Sequence, residues 1–89
     1  MTRVIKFYAN WCGPCKRYGP IFEEVRKEYK NNDNIEFYEV NVDKDVNGLA
    51  SKFKVESIPT TVIVTSEGKV KKYIGELSKE KINKLIKVI

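Results

Sequence analysis

Two cysteines stand three positions apart in the run Trp11-Cys12-Gly13-Pro14-Cys15, and the chain has no others. A disulfide closing so small a loop removes little entropy from the unfolded chain, so fold stability is a poor reason for the pair. Thiol–disulfide exchange is a better one. It needs a reactive thiolate with a second thiol nearby, and this spacing supplies both if Cys12 opens a helix. A sulfur at a helix N-terminus meets orphan N–H groups and the positive end of the macrodipole, which lower a thiol pKa toward neutrality. Cys15 follows one turn later, in phase with Tyr18 and Phe22. It is expected on the buried face, with Cys12 exposed. Cys12 would attack a substrate disulfide. Cys15 would then attack the Cys12 sulfur, releasing reduced substrate and leaving a reversible Cys12–Cys15 bridge. The other use of such a pair is half of a zinc site. Zinc wants four ligands, and with no His and no third Cys only a metal shared between two chains would serve. No metal and no bound cofactor are expected.

The elements that must position these sulfurs can be read from residue period and punctuation. Arg3 to Ala9 is rich in β-branched and aromatic residues and reads as a strand. Asn10 to Pro14 is turn chemistry, and Tyr18, Ile21, Phe22, Val25 and Tyr29 form an apolar stripe at helical spacing. Pro14 suits the first turn, where its missing N–H costs nothing, and Pro20 inside the helix predicts a kink. Ile35 to Val42 is a second strand. Asp43 and Asp45 offer N-caps for a short helix with Val46, Leu49, Ala50 and Phe53 on one face. Thr60 to Thr65 reads as a central strand, Ser66 to Lys69 as a hairpin turn with Gly68 at positive φ, and Val70 to Ile74 as its partner strand, broken by Gly75. Ser78 caps a last helix whose inner face is Ile82, Leu85, Ile86 and Ile89, with Leu77 and Ile82 as a hydrophobic staple. The order β-α-β-α-β-β-α implies an α/β fold. The early βαβ unit gives a parallel pair and the late hairpin antiparallel neighbours, hence a four-stranded mixed sheet with helices on both faces.

Trp11-Cys12-Gly13-Pro14-Cys15-Lys16 resembles the thioredoxin active-site motif letter for letter, and Ile58-Pro59-Thr60 resembles that family's cis-proline loop. Pro20, Gly68 and Gly75 also fall where thioredoxins carry Pro and Gly, so the resemblance spans Val4 to the C-terminus. It implies a thioredoxin-like fold in its minimal form, since ordinary thioredoxins carry an extra strand and helix before the motif. It further implies a substrate groove formed by Trp11, Ile58, Pro59 and Gly75, with Gly13 and Pro14 supporting the dithiol. The residues themselves leave Pro59 open as an ordinary trans proline at the start of a strand.

One position departs from the family pattern. Six residues before the first cysteine thioredoxins usually carry a buried Asp, accompanied by a Lys from the next strand; here Lys6 and Glu39 stand at those places. Alternation supports the pairing independently. Lys6 interrupts the row Val4, Tyr8, and Glu39 continues the row Ile35, Phe37. Adjacent strands would join them as a partly buried ion pair under the dithiol, where Glu39 or Lys6, through water, would accept the proton Cys15 loses. The plain alternative is a solvated pair on an edge strand. Without a further strand Ile35 to Val42 is an edge, which Glu36 and Glu39 protect from pairing. Tyr8 reads as a core aromatic, Trp11 as an exposed contact, and Lys16 and Arg17 either as electrostatic help for Cys12 or as solvated charges.

Size and charge bound the function. A chain of 89 residues buries only about 60–65% of its unfolded surface, so 1–89 is read as one domain without a large internal cavity. Seventeen Lys and Arg against twelve Asp and Glu give +5, but acids are interspersed in most segments and only Lys69 to Lys87 is one-sided, which argues against a nucleic-acid surface. No run approaches a membrane span, and Met1 to Lys6 does not read as a signal peptide, so a cytoplasmic monomer is expected. The leading function is a protein-disulfide reductase in cell redox homeostasis and electron transport. Its partners would be disulfide-containing proteins and an NADPH-dependent thioredoxin reductase. The rivals are a glutathione-dependent, glutaredoxin-like reductase, suggested by size, and a redox-independent binding subunit. Gly-Pro between the cysteines resembles reducing thioredoxins more than the Pro-Tyr of glutaredoxins.

Overall fold

A computed structural model describes residues 1–88. Its elements are β1 (Thr2–Tyr8), α1 (Gly13–Glu28), β2 (Ile35–Asn41), a 3-10 turn (Val42–Lys44), α2 (Leu49–Lys52), β3 (Thr60–Val64), β4 (Val70–Ile74) and α3 (Lys79–Lys87). The sheet order is β2-β1-β3-β4. β1 and β2 run parallel, while β3 is antiparallel to both β1 and β4. This is the mixed sheet implied by the sequence, with β2 at one edge.

Alternation along the strands divides the side chains between two faces. Val4 and Ile63 join Tyr18, Phe22 and Val25 of α1 and Ile82, Leu85 and Ile86 of α3 in the larger core. Phe37 extends it, its ring 5.6 Å from that of Phe22 and 5.8 Å from that of Tyr29. Lys79 fastens α3 to α1 by pairing with Glu24 at 3.2 Å and with Glu28 at 2.5 Å. On the opposite face Ile5, Phe7 and Val62 are covered by Leu49, Ala50 and Phe53 of the short α2 and by Val55 and Ile58. Ile89, placed by its spacing on the α3 stripe, lies outside the described residues.

Several local expectations hold. Ser78 caps α3, its hydroxyl accepting from the Lys81 N–H at 3.1 Å. Gly68 has φ +88° in the β3–β4 hairpin. The Asp43–Phe53 region differs. Neither Asp is the N-cap of α2, which is Gly48; Asp45, three residues earlier, accepts from the N–H groups of Leu49 and Ala50 at 3.0 and 2.7 Å. Val46 is almost wholly exposed and off the helix, because the chain turns at Gly48 (φ +65°) before α2 begins. Strand β2 ends one residue early, where the Asn41 side chain accepts from the Asp43 N–H at 2.9 Å and starts the 3-10 turn.

Candidate active site

Because β1 and β2 are parallel, their C-terminal ends lie at the same end of the sheet. The β1–α1 and β2–α2 connections meet there. After Tyr8 the chain makes a tight turn, closed by the Cys12 N–H donating to the Ala9 carbonyl at 3.2 Å. Cys12 is the N-cap of α1, with extended backbone angles. Its sulfur accepts from the Cys15 N–H at 3.2 Å, so one orphan donor of the helix points at the sulfur rather than at a Ser or Asp oxygen. The sulfur thus sits at the positive end of the α1 dipole. Gly13 and Pro14 form the exposed first turn, where Pro14 loses no hydrogen bond.

The two sulfurs are joined as a Cys12–Cys15 disulfide, with Cα atoms 5.2 Å apart. Cys15 is buried, as its phase with Tyr18 and Phe22 requires, at 4% exposure. Cys12 is not the open group that the sequence suggests: in the disulfide form it is 6% exposed. Tyr8, Val42 and Ile58 pack against the buried cluster that Ala9 forms with the two cysteines. Val42 and Ile58 arrive from distant parts of the chain, and no local pattern near the motif announces them.

Ile58 and Pro59 form the second wall. Their peptide bond is cis, and the Ile58 carbonyl oxygen lies 3.8 Å from the Cys12 sulfur. The Thr60 hydroxyl donates to the Ser57 carbonyl at 2.6 Å, and the Gly75 N–H donates to the Pro59 carbonyl at 2.8 Å. Gly75 has φ +97°, a conformation that favours glycine. The structure thus places Ile58 against Cys12 and bonds Gly75 to Pro59. Trp11 is 69% exposed, and its indole N–H donates to Asp43 Oδ2 at 2.8 Å. Sequence reasoning treated Asp43 only as a cap. The available signal was its place just after β2, parallel to β1 and therefore level with the motif loop.

Arg17 is engaged elsewhere than at Cys12. Its guanidinium grips Glu76 through Nη2 at 2.8 Å and Nε at 3.3 Å, tying α1 to the segment after Gly75. The hydrogen bond and the charge of Glu76 raise the Arg17 pKa above its ordinary value. Lys16 is exposed.

Lys6 and Glu39 are direct partners across β1 and β2, with Nζ 2.8 Å from Oε1. The Lys6 side chain is 5% exposed and that of Glu39 46%. The pair therefore points its ammonium inward and its carboxylate outward. The ammonium lies 4.9 Å from the Tyr8 ring centre and 5.2 Å from that of Phe22, positions that cation–π attraction favours. It also sits 3.8 Å from where a Cβ on Gly19 would lie, one helical turn from Cys15. Among the described residues no group of three or more His, Cys, Asp or Glu side chains gathers as a metal site. No helix among them is long and apolar enough to cross a membrane.

Similarity to known proteins covers nearly the whole chain. The family model for thioredoxin matches residues 1–88. The thioredoxin of Borreliella burgdorferi is 43% identical over 84 residues, covering 94% of this chain and 69% of that protein. The thioredoxin of Mycoplasmoides gallisepticum is 42% identical over 84 residues, with 94% and 80% covered. Among solved structures, mitochondrial thioredoxin 3 of Saccharomyces cerevisiae in its oxidised form superposes with a TM-score of 0.82 at 31% identity, over 99% of this chain and 78% of that one. Thioredoxin-2, described as a component of malaria parasite protein secretion machinery, gives 0.87 at 27% identity, over 100% and 84%. Sequence and architecture agree along the same span: the chain belongs to the thioredoxin family, and with its Cys12–Cys15 pair it is a thiol–disulfide oxidoreductase.

Proposed function

We propose that the protein works as a reductant of disulfides in other proteins, with Cys12 attacking and Cys15 resolving. The Cys12 thiolate attacks one sulfur of a substrate disulfide, forming a mixed disulfide and expelling one substrate thiolate. The Cys15 thiolate then attacks the Cys12 sulfur, closing the internal disulfide and expelling the second substrate thiolate. Two electrons pass to the substrate, and an NADPH-dependent thioredoxin reductase returns two to the Cys12–Cys15 bridge. One observation carries the assignment of Cys12: its sulfur is at the helix N-cap, with the Cys15 N–H aimed at it. Trp11, Ile58, Pro59 and Gly75 form the surface that receives the substrate chain. Residues 1–89 act as one domain, as a cytoplasmic monomer, with no nucleic acid or membrane partner.

Dithiothreitol-driven insulin reduction tests this reading. Wild type turns over and Cys12→Ser does not; an inert wild type leaves only the redox-independent binding subunit. Recycling by NADPH with thioredoxin reductase is expected. Recycling only by glutathione with its reductase would replace this reading with the glutaredoxin-like one.

A further inference from the structure

A small pocket adjoins the Ile58–Pro59 loop. Lys54, Glu56, Ser57, Thr60, Lys72 and Ile74 line it, and it holds about 250 Å³. That is short of the ~300–1,000 Å³ of a cleft for a drug-sized molecule, and suits a single side chain. Lys72 and Ile74 are the cross-strand partners of Val62 and Thr60. Partners share a face, so Lys72 stands with Val62 on the side that α2 covers. Ser57 and Thr60 flank Ile58 and Pro59, and the Ile58 carbonyl oxygen is the atom 3.8 Å from the Cys12 sulfur. A chain bonded to Cys12 and crossing this loop reaches the pocket within about three residues, at ~3.3 Å each.

Two features fix positive charge in this pocket. The Lys72 ammonium donates to the Lys54 carbonyl at 2.8 Å. An ammonium carries three N–H donors, so two remain for a ligand. Lys54 itself has φ 55°, and it is the one non-glycine residue at positive φ among the described residues. It ends α2: its N–H donates to the Ser51 carbonyl at 3.1 Å, and the Val55 N–H to the Ala50 carbonyl at 2.8 Å. That pair of bonds is the Schellman pattern, whose left-handed residue is ordinarily glycine. The chain instead places a lysine there against a conformational cost, and a charge used at this spot accounts for it. Glu56 opposes the two cations but leaves the pocket net positive. Among the described residues none of the three enters an ion pair.

We infer that this pocket is a specificity subsite: Lys72, with Lys54, binds the carboxylate of an acidic side chain about three residues to one side of the substrate's reactive cysteine. Ile74, 68% exposed and lining the same pocket, covers the methylenes of that side chain. The inference rests on the reductase reading and names the substrate class which that reading leaves open.

The test fixes a peptide on Cys12. In Cys15→Ser, a short peptide with one cysteine is joined to Cys12 by exchange from its thiopyridyl disulfide. Equilibrium with glutathione then reads how firmly the peptide is held. Glu, Gln or Lys is placed about three positions before or after the peptide cysteine. On one flank the Glu peptide is expected to be held about fivefold better than the Gln peptide, and the Lys peptide worse than both. The +5 charge of the whole chain would favour Glu on both flanks alike, so a preference shared by the flanks overturns the inference. Lys72→Met is expected to bring the preference below about twofold, and Lys72→Glu to transfer it to the Lys peptide. Glu56→Gln is expected to raise it. Lys54→Gly is expected to weaken it while raising the urea midpoint, because glycine adopts the left-handed backbone without strain. An unchanged preference in both Lys72→Met and Lys54→Gly overturns the inference. If Lys72→Met fails to fold, the comparison of flanks in Cys15→Ser decides alone. With both cysteines present, the same preference is expected in kcat/KM for peptide disulfides. A protein that holds the Glu peptide but turns nothing over defeats the reductase reading alone. One that reduces peptides without regard to their charge defeats only the subsite.

Discussion

The two faces of the sheet are built to different standards. On one, the 25 residues of α1 and α3 close over Val4 and Ile63, and Tyr18, Phe22, Val25 and Ile82 are fully buried. On the other, α2 is a single turn, and Val40, Leu49, Phe53 and Val64 are only half-buried around an open groove of about 630 Å³. The dithiol lies where both meet, packed by Tyr8 from the first side and by Ile58 from the second. The helix that presents the sulfurs is thus anchored in the better-packed layer, while the wall opposite Cys12 belongs to the looser one. Tight packing on the side that fixes sulfur geometry and looser packing on the side that the proposed function assigns to the substrate fit the division of labour in exchange chemistry.

The difference can be broken first at Phe22, which touches Tyr18, Phe37 and Lys6. Phe22→Ala is expected to lower unfolding free energy by about 3–5 kcal/mol, seen as a lower urea midpoint at constant slope. A loss near 1 kcal/mol would erase the contrast. The next effect is a pH dependence confined to the same face. Burial pushes the Tyr18 hydroxyl up to about 12, against the opposing hydrogen bond to Thr61 at 2.6 Å. The folded protein therefore holds that proton where the unfolded chain, at about 10, has released it. Stability from this group is full below pH 10 and falls as pH rises toward 12, by roughly 2–3 kcal/mol in total. Subtracting the stability profile of Tyr18→Phe from that of wild type should isolate this alkaline loss; parallel profiles would refute it. Smallest is the looser face. Leu49→Ala is expected to cost about 1 kcal/mol, because a half-exposed side chain has less to lose and its neighbours can settle into the groove. A cost matching that of Phe22→Ala would show that the groove is as tightly specified as the core.

Most of the fold could be read from residue period because the elements that matter follow simple rules. The stripe of α1, the β-rich run of β3 and the Ser78 cap each declare themselves within a few residues. Lys6 and Glu39 were legible as a pair because each breaks an apolar row on the same side of adjacent strands. What stayed hidden was made by residues far apart in sequence. The cover over Cys12 comes from Val42 and Ile58, and the Trp11–Asp43 bond spans 32 positions. The exposure of Val46 follows from a left-handed Gly48 that an apolar count passes over. The cis state of Pro59 came only from resemblance, since a local sequence weights X-Pro bonds toward trans.

The bond from the Trp11 indole to Asp43 has a thermodynamic consequence. A large aromatic plate on the outside of a protein ordinarily swings among rotamers, and anything docking on it must first arrest that motion. Here the Asp43 carboxylate favours one rotamer of the plate, so that under the proposed function a substrate chain would meet a prepared shelf and keep more of its contact energy as affinity.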